Sequence, residues 1–138
     1  MSDKIIHITS KQEHDALLSA DKNQHYVSGS DESVNIGNVL TSYKIIDFHA
    51  SWCGPCHMIA PVYETLANEN PNIKFAKVDV DAVPDVAQHY GIRAMPTFIV
   101  TKYNEEGNLE EVDQLRGANP QALADLVQKT NVLQSGAA

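Results

Sequence analysis

The sequence predicts an α/β fold in which a central mixed sheet is flanked by helices on both faces. Three observations predict it. Strand-like and helix-like apolar patterns alternate along the chain. A compact apolar run, Lys44–Phe48, reads as a buried central strand. Two further strand patterns, Thr97–Tyr103 and Leu109–Arg116, lie close enough in sequence to pair as an antiparallel hairpin. A length of 138 residues fits one domain, residues 1–138, with a single core. At 43% hydrophobic and 20% charged residues the chain has enough apolar surface to fold, which excludes a disordered or fibrous protein.

The elements follow in order. Ile5, Ile6 and Ile8 mark a first strand, and Ser10 with Glu13 has the spacing of a capping box, each side chain serving the other's backbone N–H. A helix from Lys11 to Ala20 follows, with Leu17 and Leu18 inward. Residues 21–42 form a polar insert rich in Gly, Ser, Asp and Asn, in which Val34, Ile36 and Val39 can pack as a short strand or turn. After the central strand, Trp52-Cys53-Gly54-Pro55-Cys56 turns into a helix running to Glu69. Pro61 inside it removes a backbone donor and predicts a kink. Ile73, Phe75, Val78 and Val80 mark the next strand. Pro84–Tyr90 is a short helix closed by Gly91 in the left-handed region.

The hairpin strands are joined through Asn104-Glu105-Glu106-Gly107-Asn108. The final helix starts at Asn119 as N-cap and Pro120 as first helical residue, and it docks Ala122, Leu123, Leu126 and Val127 on the sheet. Residues 134–138 are small and polar enough to predict a frayed, flexible tail.

Charge and composition exclude several functions. Eighteen acidic residues against ten basic ones leave a net charge of −8, which repels phosphate polymers and acidic lipid surfaces, so neither nucleic acid nor membrane is expected as a partner. The longest apolar runs, such as Phe98-Ile99-Val100, are far shorter than a bilayer requires. The start Met1-Ser2-Asp3-Lys4-Ile5-Ile6-His7 has neither a basic region followed by a long apolar stretch nor an Arg-rich transit pattern, and a cytoplasmic location is expected.

Cys53 and Cys56 are the two cysteines of the chain, too few and too closely spaced to tie distant segments together. Three apart at a helix start, they share a face with Cβ atoms about 5 to 6 Å apart in regular helix. A disulfide needs about 3.5 to 4.5 Å, so a small local adjustment closes the bond. Such a bond forms and breaks without rearranging the fold. Cys53 sits at the positive end of the helix, where unpaired N–H groups stabilise a thiolate, and is the expected nucleophile. Cys56, one turn inside, is the expected resolving thiol. Inert buried cysteines and a zinc site are the competing readings. No second cysteine pair completes a tetrahedral set, and His49 and His57 flank the motif without finger-type spacing, so no metal is expected.

Trp52-Cys53-Gly54-Pro55-Cys56 resembles the active site of the thioredoxin family. The resemblance runs from Ile5 to Val132. Asp47 matches the family's buried acid, Pro61 its helix proline and Lys77 the lysine near that acid. Tyr90-Gly91-Ile92-Arg93-Ala94-Met95-Pro96-Thr97 looks like its cis-proline loop, and Arg116-Gly117-Ala118 resembles the glycine loop beside the active site. The resemblance implies a thioredoxin fold and a protein disulfide reductase working by dithiol–disulfide exchange, with Asp47 accepting the Cys56 proton. It also implies substrate contacts at Trp52, Gly54, Pro55, Met95, Pro96 and Gly117.

No bound cofactor is implied beyond the Cys53–Cys56 disulfide itself. Electrons come from NADPH through a separate flavin-containing thioredoxin reductase. Oxidised proteins are the targets, and the working unit is a monomer. An isomerase or oxidase, and a redox-dependent binding module, remain the alternatives. Two departures stand out: His49 replaces a frequent aromatic residue, and His57 a frequent lysine. Histidine changes charge close to neutrality. His57 reads either as an exposed helix residue or as a modulator of Cys53.

Overall fold

The computed structural model describes residues 5–15, 43–103 and 109–134. Its elements run β1 (Ile5–Ile8), β2 (Tyr43–His49), α1 (Gly54–Glu69), β3 (Lys74–Asp79), α2 (Pro84–His89), β4 (Thr97–Tyr103), β5 (Leu109–Arg116) and α3 (Pro120–Gln134). Residues 11–15 are helical as well. The expected helix beyond Asp15 with Leu17 and Leu18, the insert at 21–42, the hairpin link at 104–108 and the tail past Gln134 lie outside the described residues.

The sheet order is β1-β3-β2-β4-β5. β1 and β2 both run parallel to β3, whereas β4 is antiparallel to β2 and to β5. Parallel neighbours need long crossovers, which α1 supplies between β2 and β3, and a hairpin closes the antiparallel half. β2, central in this order, is buried along its whole length except at His49.

Strand alternation divides the apolar residues between two faces. Ile45, Phe75 and Phe98 face α1 and α3, where they pack with Ile59, Tyr63, Leu123 and Val127. Ile46, Phe48, Ala76, Val78 and Ile99 turn the other way, onto Val83 at the start of α2, Val86 within it and Tyr90 after it. Ile5 joins the first cluster and Ile8 the second. Helices therefore cover both faces. The Tyr63 hydroxyl lies 2.9 Å from the Ile45 carbonyl and 2.8 Å from that of Ala76, so its one proton is shared between β2 and β3.

The end signals show how local chemistry set the boundaries. Ser10 Oγ accepts from the Glu13 N–H at 3.0 Å, half of the expected box. The other half is corrected: Glu13 reaches past Ser10 to the N–H and hydroxyl of Thr9, both at 2.7 Å. Two donors on Thr9 outcompete the single N–H of Ser10. α2 ends with Gly91 at φ +66°. There the Ile92 N–H bonds Ala87 O and the Gly91 N–H bonds Gln88 O, the paired hydrogen bonds of a left-handed helix stop. Asn119 Oδ1 accepts from the Ala122 N–H at 3.0 Å and caps α3. α3 continues into the expected tail by one residue, Gln134, whose side chain accepts from the Tyr43 N–H at 2.6 Å. α1 is continuous through Pro61.

Candidate active site

β2 delivers the chain to the carboxyl end of the sheet, and residues 50–53 turn it back into α1. Cys53 is the N-cap of that helix, with an extended backbone at φ −90°, ψ 107°. The cysteines depart from regular-helix spacing, as a closed bond requires. Cys53 lies just outside the helix, the Cα atoms stand 5.3 Å apart, and the two sulfurs are joined in a disulfide. Leaving the helical region at one residue is the local adjustment that brings the sulfurs together. Pro55 occupies the first turn, where a missing N–H breaks no helix bond.

The electrostatics of this corner favour an anion on Cys53. Its sulfur accepts from the Cys56 N–H at 3.2 Å, and the first turn of α1 carries no acidic residue to oppose it. Cys53 Sγ also lies 3.7 Å from the Met95 carbonyl oxygen. Both cysteines are only 5% exposed, so what distinguishes them is position at the helix mouth rather than burial. Ala50, Val80 and Met95 pack around the pair. Beside it, Trp52 is 67% exposed and Met58 76% exposed. Gly54 and Pro55 are exposed too.

The loop before β4 forms the opposite wall. The Met95–Pro96 peptide bond is cis. Thr97 Oγ1 donates to Ala94 O at 2.7 Å, and the Gly117 N–H donates to Pro96 O at 2.9 Å, fixing the loop from both sides. Gly117 has φ +100°, a conformation side chains rarely adopt, which explains a glycine there. Met95 thus packs on the cysteine pair, Pro96 beside it is bonded by Gly117, and Trp52, Gly54 and Pro55 flank Cys53 along the chain.

Asp47 lies beneath. It shares a face of β2 with Ile45, which α1 covers, and it is 1% exposed. Cys56, Ile59 and Tyr63 are buried residues of α1 over that face. Lys77 is its register partner on β3 and Phe98 its partner on β4. Burial pushes the carboxyl up to about 7, with the Lys77 charge pulling the other way. Asp47 Oδ1 has no hydrogen-bond partner among the described residues. The nearby carboxylate, added to full burial, also holds the Tyr63 phenol well above its ordinary value.

His57 points its ring at the opening turn, with Nε2 2.7 Å from Ser51 O. His49, half-buried, is held below the usual imidazole range by burial and then by Lys77, with Asp79 opposing and His7 and His57 adding to the depression. Among the described residues no group of three or more His, Cys, Asp or Glu side chains could hold a metal ion.

One contact was missed by sequence reasoning. The Trp52 indole N–H donates to Asp81 Oδ2 at 2.8 Å. Asp81 is itself placed by a turn in which its N–H bonds Asp79 Oδ1 at 2.9 Å. Twenty-nine residues separate the partners. Only the parallel pairing of β2 with β3 brings the turns after those strands together, and no motif spacing encodes it. Asp81→Ala should free the indole at a net loss of about 1 kcal/mol, the usual worth of one exposed hydrogen bond. The expected result is a roughly fivefold loss in kcat/KM for protein disulfides with kcat unchanged, plus a shift in the emission of the chain's single tryptophan. Unaltered kcat/KM and emission would show that the bond orients nothing.

A family model described as thioredoxin matches residues 31–129. A thioredoxin of Coprinus comatus is 50% identical over 98 residues, covering 70% of this chain and 84% of that protein. Thioredoxin-2 of Pyricularia oryzae is 49% identical over 92 residues, covering 65% of this chain, and the chain spans only 51% of that protein's length. The X-ray structure of Fasciola hepatica thioredoxin superimposes with a TM-score of 0.70 at 32% identity, covering 91% of this chain and 98% of that one.

Proposed function

Since the chain belongs to the thioredoxin family, we propose that its Cys53–Cys56 pair reduces disulfides in other proteins by dithiol–disulfide exchange, with the following division of labour. Thioredoxins are thiol–disulfide oxidoreductases that need no bound cofactor beyond the redox-active pair. The observation that carries the assignment is the joined pair at the mouth of α1, with the Cys56 N–H on Cys53 Sγ and the cis-Pro96 loop opposite.

In the reduced protein the Cys53 thiolate attacks one sulfur of a target disulfide. The target's S–S bond breaks, its second sulfur leaves as a thiolate and takes a proton from solvent, and a mixed disulfide joins Cys53 to the target. Cys56 then passes its proton to Asp47 and attacks Cys53 Sγ. The mixed disulfide breaks, the target's other sulfur leaves as a thiolate that takes a proton from solvent, and the Cys53–Cys56 bond holds the two electrons' worth of oxidation. An extended target segment lies in the groove between Trp52 and the Met95-Pro96 loop, where the Met95 backbone is available to pair with it.

The dithiol is restored by a separate NADPH-dependent flavin reductase, and oxidised proteins of a reducing compartment, the cytosol, are the targets. One chain supplies every group of the site, which supports a single domain working as a monomer. No helix among the described residues is long and apolar enough to cross a membrane.

Turbidimetric reduction of insulin by dithiothreitol, with and without the protein, tests the reading, together with the potential of the pair from a Trp52 fluorescence titration. Accelerated precipitation and a potential of about −270 mV, the usual thioredoxin poise, are expected. A potential of about −120 mV would identify an oxidant instead. If partner binding survived replacement of both cysteines by Ser while insulin stayed intact, the protein would be a binding module.

A further inference from the structure

The reaction leaves a proton on Asp47, a carboxyl sealed from solvent at 1% exposure. In the oxidised protein that proton is lost whenever the carboxyl ionises, and it must be regained from solvent before Cys56 can leave as a thiol in the next reduction. We propose that His49 is the relay through which Asp47 exchanges its proton with solvent. The proposal rests on the proposed reductase cycle and adds a residue to it.

The geometry of the sheet places the two groups together. Asp47 and His49 are two residues apart on β2, so strand alternation turns both to the α1 face. Two residues of strand put the Cα atoms about 7 Å apart, and side chains that lean toward each other on one face narrow that span to what one bridging water can cover, about 5.5 Å. Phe48 between them points to the opposite cluster and does not intervene. Asp47 is buried while His49 is the half-buried last residue of the strand, so the pair leads from the interior to the rim.

The surrounding groups suit an imidazole that carries protons without keeping them. β3 contributes Lys77 opposite Asp47 and Asp79 opposite His49. β1 contributes His7 opposite Lys77, and α1 contributes His57. Burial first, then the Lys77 ammonium and the ionisable neighbours on β1 and α1, disfavour a lasting positive charge on His49, against the single opposing carboxylate of Asp79. A neutral ring accepts a proton from Asp47 at one nitrogen and releases one to water from the other. Proton count is conserved: Cys56 loses one, Asp47 gains and passes it, and solvent receives it. No electrons move in this step.

The test follows reduction of the Cys53–Cys56 disulfide by dithiothreitol in stopped flow, read by Trp52 fluorescence from pH 6 to 8. It compares the intact protein with His49→Ala, with His49→Gln, and with both in an Asp47→Asn background. The relay predicts a roughly tenfold slower step in His49→Ala and His49→Gln, recovery of His49→Ala by added imidazole, and no further loss when Asp47 is already Asn. Circular dichroism verifies that the variants fold, and His49→Gln keeps the test valid should the smaller side chain unfold the strand end. Unchanged rates would overturn the proposal, as would a loss that imidazole does not restore or that persists in full in the Asp47→Asn background. If the intact protein failed to reduce insulin, the reductase reading would fall first, an outcome separate from any His49 result.

Discussion

Cys56→Ser is expected to hold target proteins on Cys53 as a stable covalent adduct. The attacking sulfur and its stabilising N–H are retained, because the donor is the backbone amide of residue 56 and not its side chain. What the variant loses is the second sulfur, whose Cα stands 5.3 Å from that of Cys53. Without it the mixed disulfide has no internal nucleophile, and release waits for an external thiol. Insulin turnover should drop at least about 100-fold, the scale expected when a bond-forming group is removed. Non-reducing gels after mixing with an oxidised target should show the adduct, which dithiothreitol dissolves. Cys53→Ser should lose turnover to a similar extent and form no adduct. Adducts in Cys53→Ser rather than Cys56→Ser would reverse the assigned roles.

Asp47→Asn should stabilise the oxidised protein, and only where the carboxyl would be charged. The folded value of about 7 stands above the ordinary 3.8. The folded state therefore binds a proton more tightly than the unfolded chain does. Between those two values the intact protein loses stability as pH rises, and above about 7 the loss is complete. Roughly three units correspond to about 4 kcal/mol at most. The buried amide that replaces the carboxyl takes back about 1–3 kcal/mol for its own unpaired atoms.

A net gain of about 2 kcal/mol at pH 8, reversing to a loss of about 2 kcal/mol by pH 4 where only the amide cost remains, is the expected result of urea unfolding on both proteins. The difference between the two cancels every other titrating group. A gain that did not vary with pH would mean that Asp47 is not the group whose charge strains the core. The same variant should resolve mixed disulfides about 10- to 100-fold more slowly at pH 7, since the proposed proton acceptor is gone. Stability and rate thus oppose each other at one residue. Its burial makes it costly to ionise and, for the same reason, a good base for a buried thiol.

Much of the fold was legible because local chemistry and tertiary packing agree. The Asn119-Pro120 start of α3, the Gly91 stop of α2 and the apolar run of β2 are each decided by a few neighbouring residues. Where two local partners compete, the sequence alone was less decisive. Glu13 had Ser10 and Thr9 within reach, and the pair of donors on Thr9 prevailed. The cysteine pair was legible as chemistry but not as geometry, because a three-residue spacing does not reveal which residue leaves the helix. Trp52 and Asp81 were unreadable as partners, since two strands must pair before their turns meet. The same holds for His49, whose neighbours come from β1, β3 and α1.

By itself the sequence determined that two sulfurs sit at a helix start and that an acid lies in an apolar strand, along with the elements that carry both. Residue type, spacing and periodicity act over a few positions and need no distant partner. Only the tertiary structure decided that Asp47 has an oxygen unpartnered among the described residues, that His49 stands one step nearer the rim on the same face, and that Asp81 holds Trp52. Those relations depend on strand order and register, and they arise from segments that meet only when the apolar faces of the sheet are buried.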